Sequence, residues 1–132
     1  MDRETAVKQF GELRKDLATA YMIMTVTLAH LPIPMRLPMR QGDDPALAIR
    51  SLDRAWELAE WEPVDAAAAG RVRAMITGWL TAYELAVVAQ DAGPAPWRLR
   101  GIEAALRTCT DSSLWIRRYL RWVKDPAKYP AP

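Results

Sequence analysis

Proline placement constrains this chain more than any other feature. Leu31-Pro32-Ile33-Pro34, Asp44-Pro45, Glu62-Pro63 and Gly93-Pro94-Ala95-Pro96 each separate two apolar-periodic stretches. Proline fixes its own φ and has no N–H for an interior helical turn, so helices stop before it or start on it. Four helical segments follow, and the expected fold class is all-α. The arrangement expected is a four-helix up-down bundle with three long helices, one shorter helix, and a long Pro/Met-rich connection between helices one and two. With 132 residues, one domain spanning 1-125 suffices, and 126-132 reads as a flexible C-terminal tail.

Helix one is expected from about Asp2 to His30. Phe10, Leu13, Leu17, Ala20, Met24, Thr27 and Leu31 alternate steps of three and four, which keeps one stripe facing a core. Lys8, Glu12, Lys15 and Asp16 occupy the outside of its first half. Its second half is apolar nearly all round, with Met22 and Val26 on the back face and Ile23 on the flank. A helix that is apolar on every side is buried on every side. In a chain this small, that calls for a partner subunit, a covering loop or a ligand.

Helix two starts with Asp44 as N-cap and Pro45 in the first turn. Its stripe is Ile49, Leu52, Trp56 and Ala59, and it stops near Trp61. Helix three follows Pro63, with Asp65 in the first turn. Val72, Met75, Trp79, Ala82, Tyr83 and Ala86 face inward; Arg73, Thr77, Glu84 and Asp91 lie opposite. The small residues of Ala66–Gly70 offer a neighbouring helix a close approach. Helix four starts around Pro96 and ends before Asp125, on a stripe of Leu99, Ile102, Leu106, Cys109, Ser113, Ile116, Leu120 and Val123. At 1.5 Å per residue, helices one, three and four are roughly 40 Å long and helix two about 25 Å. In an up-down order this leaves on the order of 15 Å of groove for residues 31-44 to cover.

That connection repeats Pro-Met-Arg at 34–36 and 38–40. Proline favours an extended path and methionine gives adaptable apolar contact. It reads as a lid or docking strap, or more plainly as a loop filling the bundle end with Ile33, Met35 and Leu37. The groove beneath it is a candidate pocket for a small apolar ligand. Met24, Leu28 and His30 of helix one border it, with Met35 and Met39 of the connection. Tyr83, Val87 and Gln90 of helix three, and Trp97 and Ile102 of helix four with Leu99, complete it. An apolar recess with a few polar tips suits a ligand, although the same residues serve equally as core.

Segment 114–124 carries two further candidates. Trp115, Tyr119 and Trp122 form an aromatic flank suited to a protein interface, alongside Met22 and Val26 of helix one. Arg117, Arg118, Arg121 and Lys124 form a basic side that could contact anions, including nucleic acid or an anionic membrane surface. Acidic residues are spread through the other helices, and a net charge of +2 does not by itself call for nucleic acid.

Catalytic and metal chemistry draw little support. His30 is the only histidine and Cys109 the only cysteine. Asp43-Asp44 has no further carboxylate at metal-motif spacing, and Asp44 is already a cap. No catalytic residue, metal ligand or cofactor is assigned. One cysteine excludes an intrachain disulfide. The mixed-charge N-terminus is unlike a signal peptide. The uncharged run Leu17–Ala29 is about half of the roughly 20 residues a membrane span needs. Arg outnumbers Lys and alanine is abundant, a composition suited to a bacterial or phage protein of high GC content.

The expected function is therefore a cytoplasmic, non-enzymatic interaction module, an adaptor or regulator. Its expected partner is itself, as a homodimer, or another protein. A small-molecule-binding bundle with the 31-44 lid is the alternative. A nucleic-acid accessory protein using helix four comes third.

Overall fold

The computed structural model describes residues 1–39 and 44–132. The chain is all-helical, and all four expected helices form. They are α1 (Arg3–Ala29), α2 (Pro45–Leu58), α3 (Ala66–Ala92) and α4 (Pro96–Lys124), with a 3-10 turn at Ala59–Trp61 continuing α2. Three aspartates open the first three of them. Asp2 accepts from the Thr5 N–H at 2.7 Å, Asp44 from Ala46 at 3.0 Å and Asp65 from Ala68 at 2.8 Å. Each occupies one of the unpaired N–H groups at a helix start. Asp65 thus sits at the cap, one residue outside the turn where the sequence placed it. Gly93 ends α3 with φ +105, a left-handed setting that excludes most side chains.

The helix directions differ from an up-down-up-down order. Arg14 of α1 hydrogen-bonds Gln90 late in α3, and the Trp79 Nε1–H donates to the Leu17 carbonyl. Early α1 therefore lies beside late α3, and the two run antiparallel. Gln9 donates to Glu103 at the start of α4, and His30 meets Arg117 and Lys124 at its end. So α1 and α4 run parallel. The α2–α3 hairpin and the α3–α4 pair are each antiparallel, the latter seen in contacts between Asp65 and Tyr119 and between Arg71 and Trp115.

The additional reversal lies in the connection after α1. Residues 31–39, the strap, turn back along α1. The Met35 N–H donates to the Leu28 carbonyl at 3.0 Å, and the Tyr21 Oη–H reaches the Pro38 carbonyl at 2.7 Å. The strap's direction is thus opposite to that of α1, and α2 then climbs again toward α3. Leu31, Met35 and Leu37 are buried in the same core as Leu28, Leu52 and Ala55. Among these elements, α2 packs on α3 and makes no close backbone approach to α1 or α4.

The core stripes largely match the periodicity. Leu13, Ala20, Met24, Thr27 and Leu28 of α1 are buried, as are Val72, Met75, Ile76, Trp79, Ala82 and Ala86 of α3. Leu99, Ile102, Leu106, Cys109 and Ile116 complete the core from α4. Three positions depart from expectation. Trp56 is 40% exposed at the edge of the α2–α3 contact, where Arg73 of α3 lies over its ring at 4.2 Å, while its neighbour Ala55 is buried. Val123 is exposed because α1 has already ended at Ala29, short of the last turn of α4. Finally, a Cβ added at Gly70 would meet nothing within 4 Å, so the tight helix contact is not at that glycine. It is at Gly78, where a Cβ would meet the Ala105 carbonyl oxygen at 2.8 Å and the Cys109 nitrogen at 2.9 Å.

The tail begins with a turn, since the Lys128 and Tyr129 N–H groups both donate to the Asp125 carbonyl. α3 is long and apolar enough, by length and composition, to cross a membrane. Here its apolar residues supply the centre of the core.

Backbone contact at Gly78 gives a paired prediction. Gly78→Ala forces α3 and α4 apart and should lower unfolding free energy by about 1–3 kcal/mol. Gly70→Ala, where an added Cβ meets nothing within 4 Å, should raise it by about 0.5–1 kcal/mol through helix propensity. Urea unfolding of both variants measures the difference.

Candidate functional site

The eleven residues expected to share one pocket fall at several places, and the direction of α3 is the reason. With α3 antiparallel to α1, the C-terminal half of α3 lies beside the N-terminal half of α1. Tyr83, Val87 and Gln90 accordingly line a groove with Phe10, Arg14 and Leu17. Met24, Leu28, Leu99 and Ile102 are fully buried in the core. Trp97 is 63% exposed at the start of α4, under the Arg98 guanidinium. His30 belongs to the far end, and Met35 lines a cleft formed by the strap. Met39 is exposed. Arg40 of the second Pro-Met-Arg and Asp43 of the acidic pair lie outside the described residues.

The aromatic flank of α4 is mostly absorbed by the fold. Tyr119 is buried, stacks on Trp115 with centroids 5.4 Å apart, and accepts the Asp65 N–H at 3.3 Å. Arg71 lies over the other ring of the pair, Trp115. The N-terminal part of α3 thus covers this flank, which leaves Trp115 and Trp122 half-buried. A second aromatic group, unseen in the sequence pattern, joins α1 to α3: Trp79 stacks with Tyr83 and lies 5.1 Å from Tyr21.

Three of the four basic residues expected to contact anions converge. Arg117, Arg121 and Lys124 line a recess of about 590 Å³ with His30, Pro32, Leu120 and Val123, while Arg118 lies outside it. The His30 Nδ1–H donates to the Val26 carbonyl at 2.8 Å. Because α1 and α4 are parallel, both C-termini are at this end, and cations here complement the negative ends of two helix dipoles. That electrostatic setting favours the basic side chains but opposes a bound anion.

Cys109 has no reactive character. Burial pushes its thiol up to about 12, and the only opposing influence is a contact with Ser113. A thiol this far above neutrality is not a nucleophile. Among the described residues, no three His, Cys, Asp or Glu side chains group in a way that could hold a metal ion.

The least expected group is Glu62, which in the sequence marks only a helix stop before Pro63. It is 5% exposed. One carboxyl oxygen, Oε2, accepts the Ile33 N–H at 2.9 Å and so ties the strap to the α2–α3 turn. The other, Oε1, is buried without a hydrogen-bond partner. Burial holds the carboxyl above its ordinary 4.5, opposed only by the Ile33 bond. Glu62 lines a cleft of about 300 Å³ with Ile33, Pro34, Met35, Arg36 and Leu37 of the strap, Ser51, Arg54, Ala55 and Leu58 of α2, and Trp61. No spacing rule identifies such a residue, because its burial depends on where the strap runs.

No protein-family model, curated protein or solved structure matches the chain.

The raised carboxyl has a direct consequence for stability. Folded Glu62 takes up a proton more readily than the unfolded chain does. The cost of burying its ionised form is therefore complete above the folded value and disappears as pH falls below 4.5. Glu62→Gln keeps an acceptor for Ile33 without the charge. It should raise Tm near neutral pH and lose that advantage at about pH 4. Thermal unfolding of both proteins at the two pH values tests this.

Proposed function

We propose that this chain is a non-enzymatic interaction module of the cytoplasm that self-associates through the outer face of α1. One observation carries this reading. The exposed positions of α1 beyond Leu17 are Ala18, Thr19, Met22, Val26 and Ala29, with no charge among them. Met22 is 56% and Val26 40% exposed. The first half of the same helix exposes Lys8, Glu12, Lys15 and Asp16, as a solvated face does.

Single exposed apolar residues are ordinary, whereas a continuous uncharged strip is a feature of contact surfaces. Ala18 and Ala29 flank the larger side chains, so a second helix can come close. A two-fold axis across the strip would set it against its own copy and close the assembly as a dimer. Since Tyr119 is buried, the aromatic flank of α4 is not part of the proposed contact. A nucleic-acid role has less support, because Arg121 and Lys124 lie in the last turn of α4, where they offset the helix dipole.

Met22→Glu combined with Val26→Glu tests the reading. Both residues are exposed in the isolated chain, so the variant should keep its helical circular dichroism. Its mass by light scattering should fall from that of a dimer to that of one chain. A variant that keeps the wild-type mass would contradict contact through α1.

A further inference from the structure

We infer that the cleft between the strap and α2 is a binding site for a small zwitterion with an apolar body, a free amino acid with an aliphatic, thioether or aromatic side chain. The cleft supplies a complement for each part of such a molecule. Glu62 contributes a carboxyl of which only Oε2 is engaged, while Oε1 is buried and vacant. A buried acceptor with no donor is costly to keep. Among the described residues no cation pairs with it, and the Ile33 N–H is its sole polar partner. Oε1 is itself sealed from solvent, so an ammonium group in the cleft satisfies this acceptor, and matches its charge, once the carboxyl turns toward it.

Arg36 and Arg54 also line the cleft, and both are exposed. Two guanidiniums beside one carboxyl disfavour a simple cation but suit a ligand with a carboxylate at its other end, which guanidinium binds in a forked geometry. Ile33, Met35, Leu37, Ala55, Leu58 and Trp61 supply the apolar wall. The volume of about 300 Å³ is at the lower end of ligand sites, about 300–1,000 Å³. It accommodates a molecule of one amino acid rather than a nucleotide cofactor. The strap supplies a large share of the lining, from Ile33 to Leu37, so occupancy would also hold the strap against α2.

Isothermal titration calorimetry of the full chain with L-leucine, L-methionine and L-phenylalanine tests the site. At least one of the three should bind saturably, one molecule per chain. The best binder should lose at least about tenfold in affinity in Glu62→Gln, and likewise in Arg36→Gln combined with Arg54→Gln, since each removes a charged hydrogen-bonding partner. Circular dichroism checks that the variants are folded. A second series needs no variant: for L-leucine, the analogues are 4-methylpentanoate, which lacks the ammonium, and leucinamide, which lacks the carboxylate. Both should bind the wild-type chain more weakly than L-leucine. The proposal is overturned if none of the three amino acids binds, or if folded Glu62→Gln binds as tightly as wild type. It is likewise overturned if, where L-leucine binds, 4-methylpentanoate matches it.

Discussion

The contact at Gly78 is the constraint on which the rest of the structure depends. No side chain separates α3 from α4 there, and a single added carbon would meet the backbone of Ala105 and Cys109. Helix axes that approach so closely are fixed in register as well as distance. Leu99, Ile102 and Cys109 then pack in one core with Met75, Ile76 and Ala82. α1 lies across both helices, held to α3 by the Trp79–Leu17 hydrogen bond and to α4 by Gln9 and Glu103. α2 and the strap then add Leu52, Ala55, Leu31, Met35 and Leu37 to the same core.

What α1, α3 and α4 leave open is closed by an extended strap and a short helix. The strap has no ladder of its own, so its polar backbone groups need individual partners. Leu28, Tyr21 and Glu62 provide them. Using a carboxylate for this purpose is costly, because burial opposes its charge. Glu62 therefore anchors the strap and keeps a second, buried oxygen that has no partner among the described residues. Those two facts have one cause: a side chain with two acceptor oxygens was placed where the fold offers a single donor.

Much of this architecture was legible in the sequence. Proline and aspartate marked the helix ends within one or two residues, and three-four spacing identified most of the core. Direction was not legible. Whether α3 runs with or against α1 depends on whether residues 31–44 turn once or traverse the bundle, and periodicity is identical in both cases. Reversing α3 separated Tyr83 and Gln90 from His30, residues a parallel order would have joined. Glu62 was invisible for a similar reason, since its burial depends on the path of the strap, whose Ile33 it holds. The flank of Trp115 and Tyr119 resembled an interface because the residues enriched in interfaces also widen cores. Met22 and Val26, which the helical spacing put on the back face of α1, are exposed there, and the exposed positions of α1 beyond Leu17 carry no charge.

The uncharged face of α1 is the surface on which the proposed function rests. Sedimentation velocity of the wild-type protein across the micromolar range tests the proposed self-association directly. Contact through α1 predicts a concentration-dependent species approaching about 30 kDa, twice the 14.9 kDa chain, as expected of a reversible two-fold dimer. A constant 14.9 kDa species at every concentration would contradict it.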